Sequence, residues 1–244
     1  MSYGKRMTWL SDVKEKSNLE SGTVYSENKI ALFDMDGTLT EARKEIGLQM
    51  ISSLKSLSRC CKIGIVTGSG MNYVKQQLGN LIVDPDIAPR IHLLPCNGTK
   101  HYVFKNEKYE MIHSVDMSTY IGSDNLRSLI ILLLEEQEHI SYSKIPLSGH
   151  FIDYRGAMIN WCPIGRNADD NQRSVFVGID QSQKPTLREK YLNRIKHKIS
   201  LKIGGGDLVC ALGGDTSFDI YPIGWDKTYC LRHFYGQEHY FVGD

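Results

Sequence analysis

The chain has 244 residues, 41% of them apolar, enough to bury one large core or two smaller ones. Its 29 Lys and Arg balance 28 Asp and Glu to leave a formal charge of +1, so no global field favours nucleic acid or an acidic membrane surface, and any anion site must come from local placement. The longest strongly apolar run, around Leu129 to Leu134, is far below the ~20 residues that span a bilayer.

Residues 1–28 are polar apart from Trp9, Leu10 and Val13 and read as an extension carrying no chemistry. The segment is basic at its start but lacks an apolar h-region, so it does not have the form of a secretory signal, and a cytoplasmic location is expected. Six cysteines show no C-x-x-C spacing, and eight histidines form no H-x-H or H-x-x-x-H pair; the cysteines read as reduced thiols.

From Lys29 the pattern is strand, turn, helix, strand: KIALFD, then a helix with Ile46, Met50, Leu54 and Leu57 along one side, then KIGIVTGS. This alternation predicts a parallel sheet. A helix from about Asn72 is expected to stop near Gly79, a natural C-cap, before a connection from Asp84 to Pro89 and the strand RIHLLPCNG.

The next stretch mixes helices with antiparallel strands. SDNLRSLIILLLEE predicts a helix with Ser123 as its cap. PTLREKYLNRIKHKI predicts another, with Thr186 and Glu189 spaced as a capping box and Leu187, Tyr191, Ile195 and Ile199 on one face. HFIDYRGAMINW reads as alternating strand, with Arg155 ending the strand of FIDYRG, and DLVCAL and TSFDIY form a hairpin across Gly213, Gly214 and Asp215. YFVGD returns to a core strand. The organisation is a core of residues 29–111 and 222–244, interrupted by an α+β cap over 112–221.

The sharpest chemical signal is ALFDMDGTLT, residues 31–40, where Asp34 and Asp36 stand two positions apart at the end of an apolar strand. Open α/β sheets bind ligands beyond the carboxyl ends of their strands. Gly37 permits the sharp departure that brings the second carboxylate over the same crevice. A magnesium ion would offset the repulsion and bridge to a phosphate. One carboxylate could then attack phosphorus while the other moves the proton. The same residues also fit an acidic strand-end turn without catalytic duty.

The run D-x-D-G-T-L-T after an apolar strand resembles the signature of the haloacid dehalogenase superfamily of phosphotransferases. That family also needs a hydroxyl after a second strand, a lysine and a late acidic residue, matched in order by Thr67 or Ser69, Lys227 and Asp244. Three longer stretches, FIDYRGAMINWCPIGRNADDNQR, SFDIYPIGWDKTYCLRHF and TEARKEI, resemble eukaryotic-type phosphomannomutase, over about Lys29 to Asp244.

The resemblance implies an α/β fold: a Rossmann-like parallel-sheet core with an inserted α+β cap containing an antiparallel sheet. It implies Asp34 as nucleophile, Asp36 as general acid and base, and Lys227 as catalytic cation, with Arg43, Arg155, Arg166 and Arg173 on phosphate and sugar and Ser217 and Asp219 on sugar hydroxyls. It further implies Mg2+ on Asp34, Asp36 and Asp244, a hexose 1,6-bisphosphate activator, a phosphorylated hexose as substrate, and a homodimer through the cap. The activity so implied interconverts mannose 6-phosphate and mannose 1-phosphate, the supply for GDP-mannose. The family continues beyond the position of Asp244 with a G-G-N-D-x-E loop, and against that pattern the second core part is truncated. A sugar-phosphate phosphatase of the same superfamily and a non-catalytic relative stand as the alternatives.

From the residues alone, arginine is the side chain suited to a second phosphate, because its planar fork pairs two oxygens at once. Positions 217 and 219 share one face of a strand, with Phe218 and Ile220 on the other.

Overall fold

The computed structural model describes residues 25–41, 43–203 and 207–243; the Trp9, Leu10 and Val13 cluster and Asp244 lie outside the described residues. Ten strands form two sheets among them, a six-stranded sheet in the order β10-β1-β2-β3-β4-β5 and a four-stranded sheet in the order β6-β7-β9-β8.

The first sheet is built on β1 (Ser26–Asp34), β2 (Cys61–Val66) and β3 (Ile91–Leu94), all parallel, with β10 (Glu238–Val242) parallel to β1 on the outer side. The apolar run of β1 is buried on both faces, as in a sheet covered by two layers. Ala31 and Phe33 pack with helices α1 (Leu48–Leu57) and α2 (Met71–Ile82). Ile30 and Leu32 pack with Val66, Leu94, Cys230 and Phe234. The last two belong to a 3-10 segment, Lys227–Phe234, on the opposite face.

Local readings of the sequence fail in this half at three points. Ile46 precedes α1 instead of lying in it, and its N–H donates to the Gln77 carbonyl at 2.8 Å. Gly79 lies inside α2, which runs on to Ile82 because Leu81 and Ile82 are buried. An antiparallel hairpin, β4 (Lys100–Lys105) and β5 (Lys108–Ser114), extends the core sheet past residue 111. Its turn is Asn106–Glu107, both with positive φ, the conformation of a tight two-residue hairpin.

The second sheet joins β6 (Ile152–Tyr154), β7 (Ile159–Trp161), β8 (Leu208–Gly213) and β9 (Ser217–Pro222), antiparallel throughout. HFIDYRGAMINW forms a hairpin, its first strand ending just before Arg155: Arg155 N–H donates to the Met158 carbonyl at 2.9 Å, and Gly156 takes a φ of 83°. One face carries Trp161 stacked on Phe218, with ring centroids 4.8 Å apart, against the helix layer.

That layer contains α3 (Met117–Ile121), α4 (Ser123–Ser141), α5 (Asp170–Gln181) and α6 (Leu187–Lys202). Ser123 is the first helical residue of α4, and Gly122 occupies the cap position. The Thr186 and Glu189 capping box of α6 forms as expected, and Leu187, Tyr191, Ile195 and Ile199 are its buried side. All six cysteines are free thiols. Among the described residues no helix is long and apolar enough to cross a membrane.

Candidate active site

Asp34 ends β1 and is 5% exposed. Its Oδ1 accepts the Met35 N–H at 2.7 Å, and its Oδ2 pairs with Lys227 Nζ. The following turn explains how two carboxylates two residues apart reach one crevice. Met35 and Leu39 are buried in the core, Gly37 takes a φ of 81°, and Thr40 N–H closes back on the Met35 carbonyl at 3.0 Å. Thr40 Oγ1 donates to Gln77 Oε1 at 2.7 Å and fixes the turn to α2.

The 3-10 segment positions Lys227. Its start is capped by Asp226, whose Oδ1 accepts the Thr228 N–H at 2.9 Å, and buried Cys230 and Phe234 dock it beneath β1 to β3. Thr67 follows β2 and is 1% exposed, its Oγ1 accepting the Ser69 N–H at 3.1 Å. Asn97, at a φ of 62°, donates from Nδ2 to the Trp225 carbonyl at 3.1 Å and so anchors the return from the cap.

Above the crevice the cap supplies arginines. Arg155 Nη1 donates to the Gly68 carbonyl of the core at 2.8 Å, while its Nε donates to Asp153 Oδ2 at 2.9 Å. The Nε of Arg166 is 3.6 Å from the same carboxylate oxygen, and its guanidinium lies over Tyr73 of α2. Arg173 donates to Thr216 Oγ1 at 2.8 Å and to the Ala168 carbonyl at 3.1 Å. Burial first, then the cationic Arg43 and Arg166 nearby, pull its pKa down. A crowd of guanidinium groups lining one cleft is suited to an anion, whose charge offsets their mutual repulsion.

Asp34, Asp36, Arg43, Thr67, Ser69, Arg155, Arg166, Arg173, Ser217, Asp219 and Lys227 thus line one cleft of about 1130 Å³ between core and cap. Burial pushes the Asp219 carboxyl up, opposed by an Asn160 hydrogen bond and then by Arg155, Arg166 and Lys227. Sequence reasoning missed Tyr73, Asp153 and Asn160. Asn160 was accessible in principle, as the one polar residue of the strand INW.

The donor set fits a magnesium ion. Asp36 Oδ1 is buried without a hydrogen-bond partner, beside a second hard carboxylate. Magnesium commonly uses one or two carboxylates together with water and substrate phosphate. Among the described residues no group of three or more His, Cys, Asp or Glu is gathered for a metal.

Comparison with known proteins adds a family. A family model described as eukaryotic phosphomannomutase matches residues 50–244. The chain is 36% identical over 224 residues to phosphomannomutase 2 of Dictyostelium discoideum, covering 90% of this chain and 83% of that one. It is 34% identical over 225 residues to the phosphomannomutase of Triticum aestivum, covering 88% and 83%. Among solved structures, the Plasmodium falciparum IMP-nucleotidase matches with a TM-score of 0.61 at 13% identity, over 89% of this chain and 60% of that one. The C-terminal domain of Candida albicans trehalose-6-phosphate phosphatase matches at 0.51 and 15%, over 85% and 61%. These two likenesses concern the fold.

Proposed function

Since the chain belongs to the eukaryotic phosphomannomutase family, we propose that it interconverts mannose 6-phosphate and mannose 1-phosphate through an aspartyl phosphate and a hexose 1,6-bisphosphate. The reading is supported above all by one arrangement: a buried aspartate at a parallel strand end, paired with Lys227, opens onto the same cleft as a set of cap arginines. A single-phosphate hydrolase has less use for the second set.

In the first half-reaction an Asp34 carboxylate oxygen attacks phosphorus of the bisphosphate, and the bond from phosphorus to the sugar oxygen breaks. Asp36 gives its proton to that departing oxygen. In the second half-reaction the free hydroxyl of an incoming hexose monophosphate, at the end opposite its phosphate, loses its proton to Asp36 and takes the phosphoryl group from Asp34, giving the bisphosphate again. Lys227 carries positive charge beside the transferring oxygens, since positioning and electrostatics dominate phosphoryl transfer.

A magnesium ion held by Asp34 and Asp36, with Asp244 implied by the family resemblance, supplies further charge neutralisation when bound. Arg43, Arg155, Arg166 and Arg173 hold the phosphate that is not reacting, and Ser217 and Asp219 hold sugar hydroxyls. The intermediate turns over between the two halves. Closure of the cap then excludes water, which would otherwise hydrolyse the aspartyl phosphate. We further propose a cytoplasmic homodimer joined through the cap, activated by hexose 1,6-bisphosphate and feeding GDP-mannose synthesis.

The test follows phosphorus NMR signals with mannose 1-phosphate, magnesium and a trace of glucose 1,6-bisphosphate. Mannose 6-phosphate is the expected product. Free phosphate in its place would make the protein a phosphatase, and an unchanged spectrum would make it a non-catalytic relative.

A further inference from the structure

Asn160 sits in the middle of β7 and is 3% exposed. Its neighbours Ile159 and Trp161 pair across the sheet with Ile220 and Phe218, and Asn160 itself stands opposite Asp219. Strand alternation therefore turns its amide away from the apolar layer, onto the face that carries Ser217 and Asp219. Its Nδ2 donates to Ser217 Oγ at 3.0 Å and to Asp219 Oδ1 at 2.7 Å. Its Oδ1 accepts from Arg166 Nη1 at 2.7 Å. The orientation is unambiguous, because a guanidinium can only donate and so must face the amide oxygen.

We propose that Asn160 is a positioning residue that ties the sugar-reading pair, Ser217 and Asp219, to the phosphate-gripping Arg166, so that the cap recognises sugar and phosphate as one unit. The substrate in this inference rests on the mutase reading; the network does not. Two geometric facts support it. Both amide hydrogens and the amide oxygen are engaged by three different site residues, which a packing role would not require. The Asp219 carboxylate is also held from behind: a Cβ at Gly213 would come within 2.6 Å of its Oδ2, so its position depends on the amide in front and the backbone behind.

The arrangement has an electrostatic consequence. The Asn160 amide faces Asp219 from β7, and the charged and titratable groups around the carboxyl are the cationic Arg155, Arg166 and Lys227, Tyr221 of β9, and the thiols of Cys96 and, across the sheet, Cys210. The amide is the foremost group holding the carboxyl down against burial. Its loss lets the carboxyl rise further, whereas a carboxylate in its place adds a like charge and drives the rise harder.

The experiment compares the wild type with Asn160→Ala and Asn160→Asp. Carbon NMR of carboxyl-labelled, ligand-free protein reads the Asp219 titration, and calorimetry reads binding of mannose 1-phosphate and of inorganic phosphate. Expected is an upward move of the Asp219 midpoint in Asn160→Ala and a larger one in Asn160→Asp. Mannose 1-phosphate should bind about tenfold more weakly to Asn160→Ala, with inorganic phosphate changed less than about twofold. Asn160→Asp keeps an acceptor for Arg166 and guards against a fold defect in the alanine variant. An unmoved Asp219 titration in both variants, or equal weakening of the two ligands, overturns the proposal. Failure of the wild type to bind mannose 1-phosphate would remove the mutase reading, and the titration would still decide the network.

Discussion

The guanidinium carbon of Arg166, on the cap, lies 4.9 Å from the centre of the Tyr73 ring, on the first turn of a core helix. A flat cation over an aromatic face is attracted to it, more so when water is excluded. The pair therefore bridges the seam and holds Arg166 at the wall of the cleft, where the proposed mechanism puts the distal phosphate. Tyr73→Ala is expected to weaken mannose 1-phosphate binding about three- to tenfold, with Tyr73→Phe within about twofold of wild type. Equal losses in calorimetric titrations of the two variants would place the effect in the hydroxyl and not the ring. Arg166→Ala should weaken a sugar bisphosphate more than inorganic phosphate.

Asp34→Asn keeps the size of the side chain and its acceptor toward the Met35 N–H while removing the proposed nucleophile. Phosphoenzyme should disappear and turnover fall by about 10³-fold or more, with an unchanged circular dichroism spectrum. Acid-quenched labelling with bisphosphorylated hexose carrying radioactive phosphorus reads the outcome. A variant that still takes up label at the normal rate would make another residue the nucleophile.

Gly165 precedes Arg166 at a φ of +87°, and a Cβ there would stand 2.1 Å from the Gly149 carbonyl oxygen. Backbone cannot yield as a side-chain tip can, so Gly165→Ala should cost about 2–4 kcal/mol and displace Arg166. Gly178 in α5 is the control. Nothing lies within 4 Å of its would-be Cβ, and Gly178→Ala should gain about 0.5–1 kcal/mol of helix stability. Urea midpoints of the two variants should move in opposite directions.

His92 on β3 and His101 on β4 share a hydrogen bond, Nδ1 to Nε2, of 2.8 Å. One ring must donate and the other accept, so the bond needs at least one neutral ring. Burial lowers their pKa values to about 4 and about 3. The unfolded chain takes up these protons near pH 6.5 while the native state resists until about pH 4. Unfolding therefore binds protons in this window, and stability falls on acidification by roughly 1.4 kcal/mol per pH unit for each histidine. His101→Gln should flatten the slope by about one proton, measured from urea unfolding between pH 6.5 and 4.5; an unchanged slope would show that this histidine does not resist protonation in the fold.

Several features were legible because their causes are local. An apolar run ending in Asp-x-Asp-Gly marks a parallel strand and its crevice, and a threonine three residues before a glutamate marks the start of α6. The cap of α5 was equally local, with Asp169 and Gln172 engaged reciprocally. It was overlooked because DNQRSVFVGIDQ buries only Phe176 and Asp180, too few for a clear apolar stripe. The hairpin β4 to β5 was missed because its turn residues, Asn106 and Glu107, include no glycine to announce positive φ.

By itself the order of residues determined the family, the alternation of elements and the identity of the groups able to handle phosphate, because side-chain chemistry and near-neighbour spacing travel with the chain. Only the folded protein decided which of those groups meet. Asp34 and Lys227 stand 193 positions apart and form an ion pair, and Asn160 bonds residues 57 and 59 positions further along. Contacts of that separation come from packing whole layers on one another, and no local spacing encodes them.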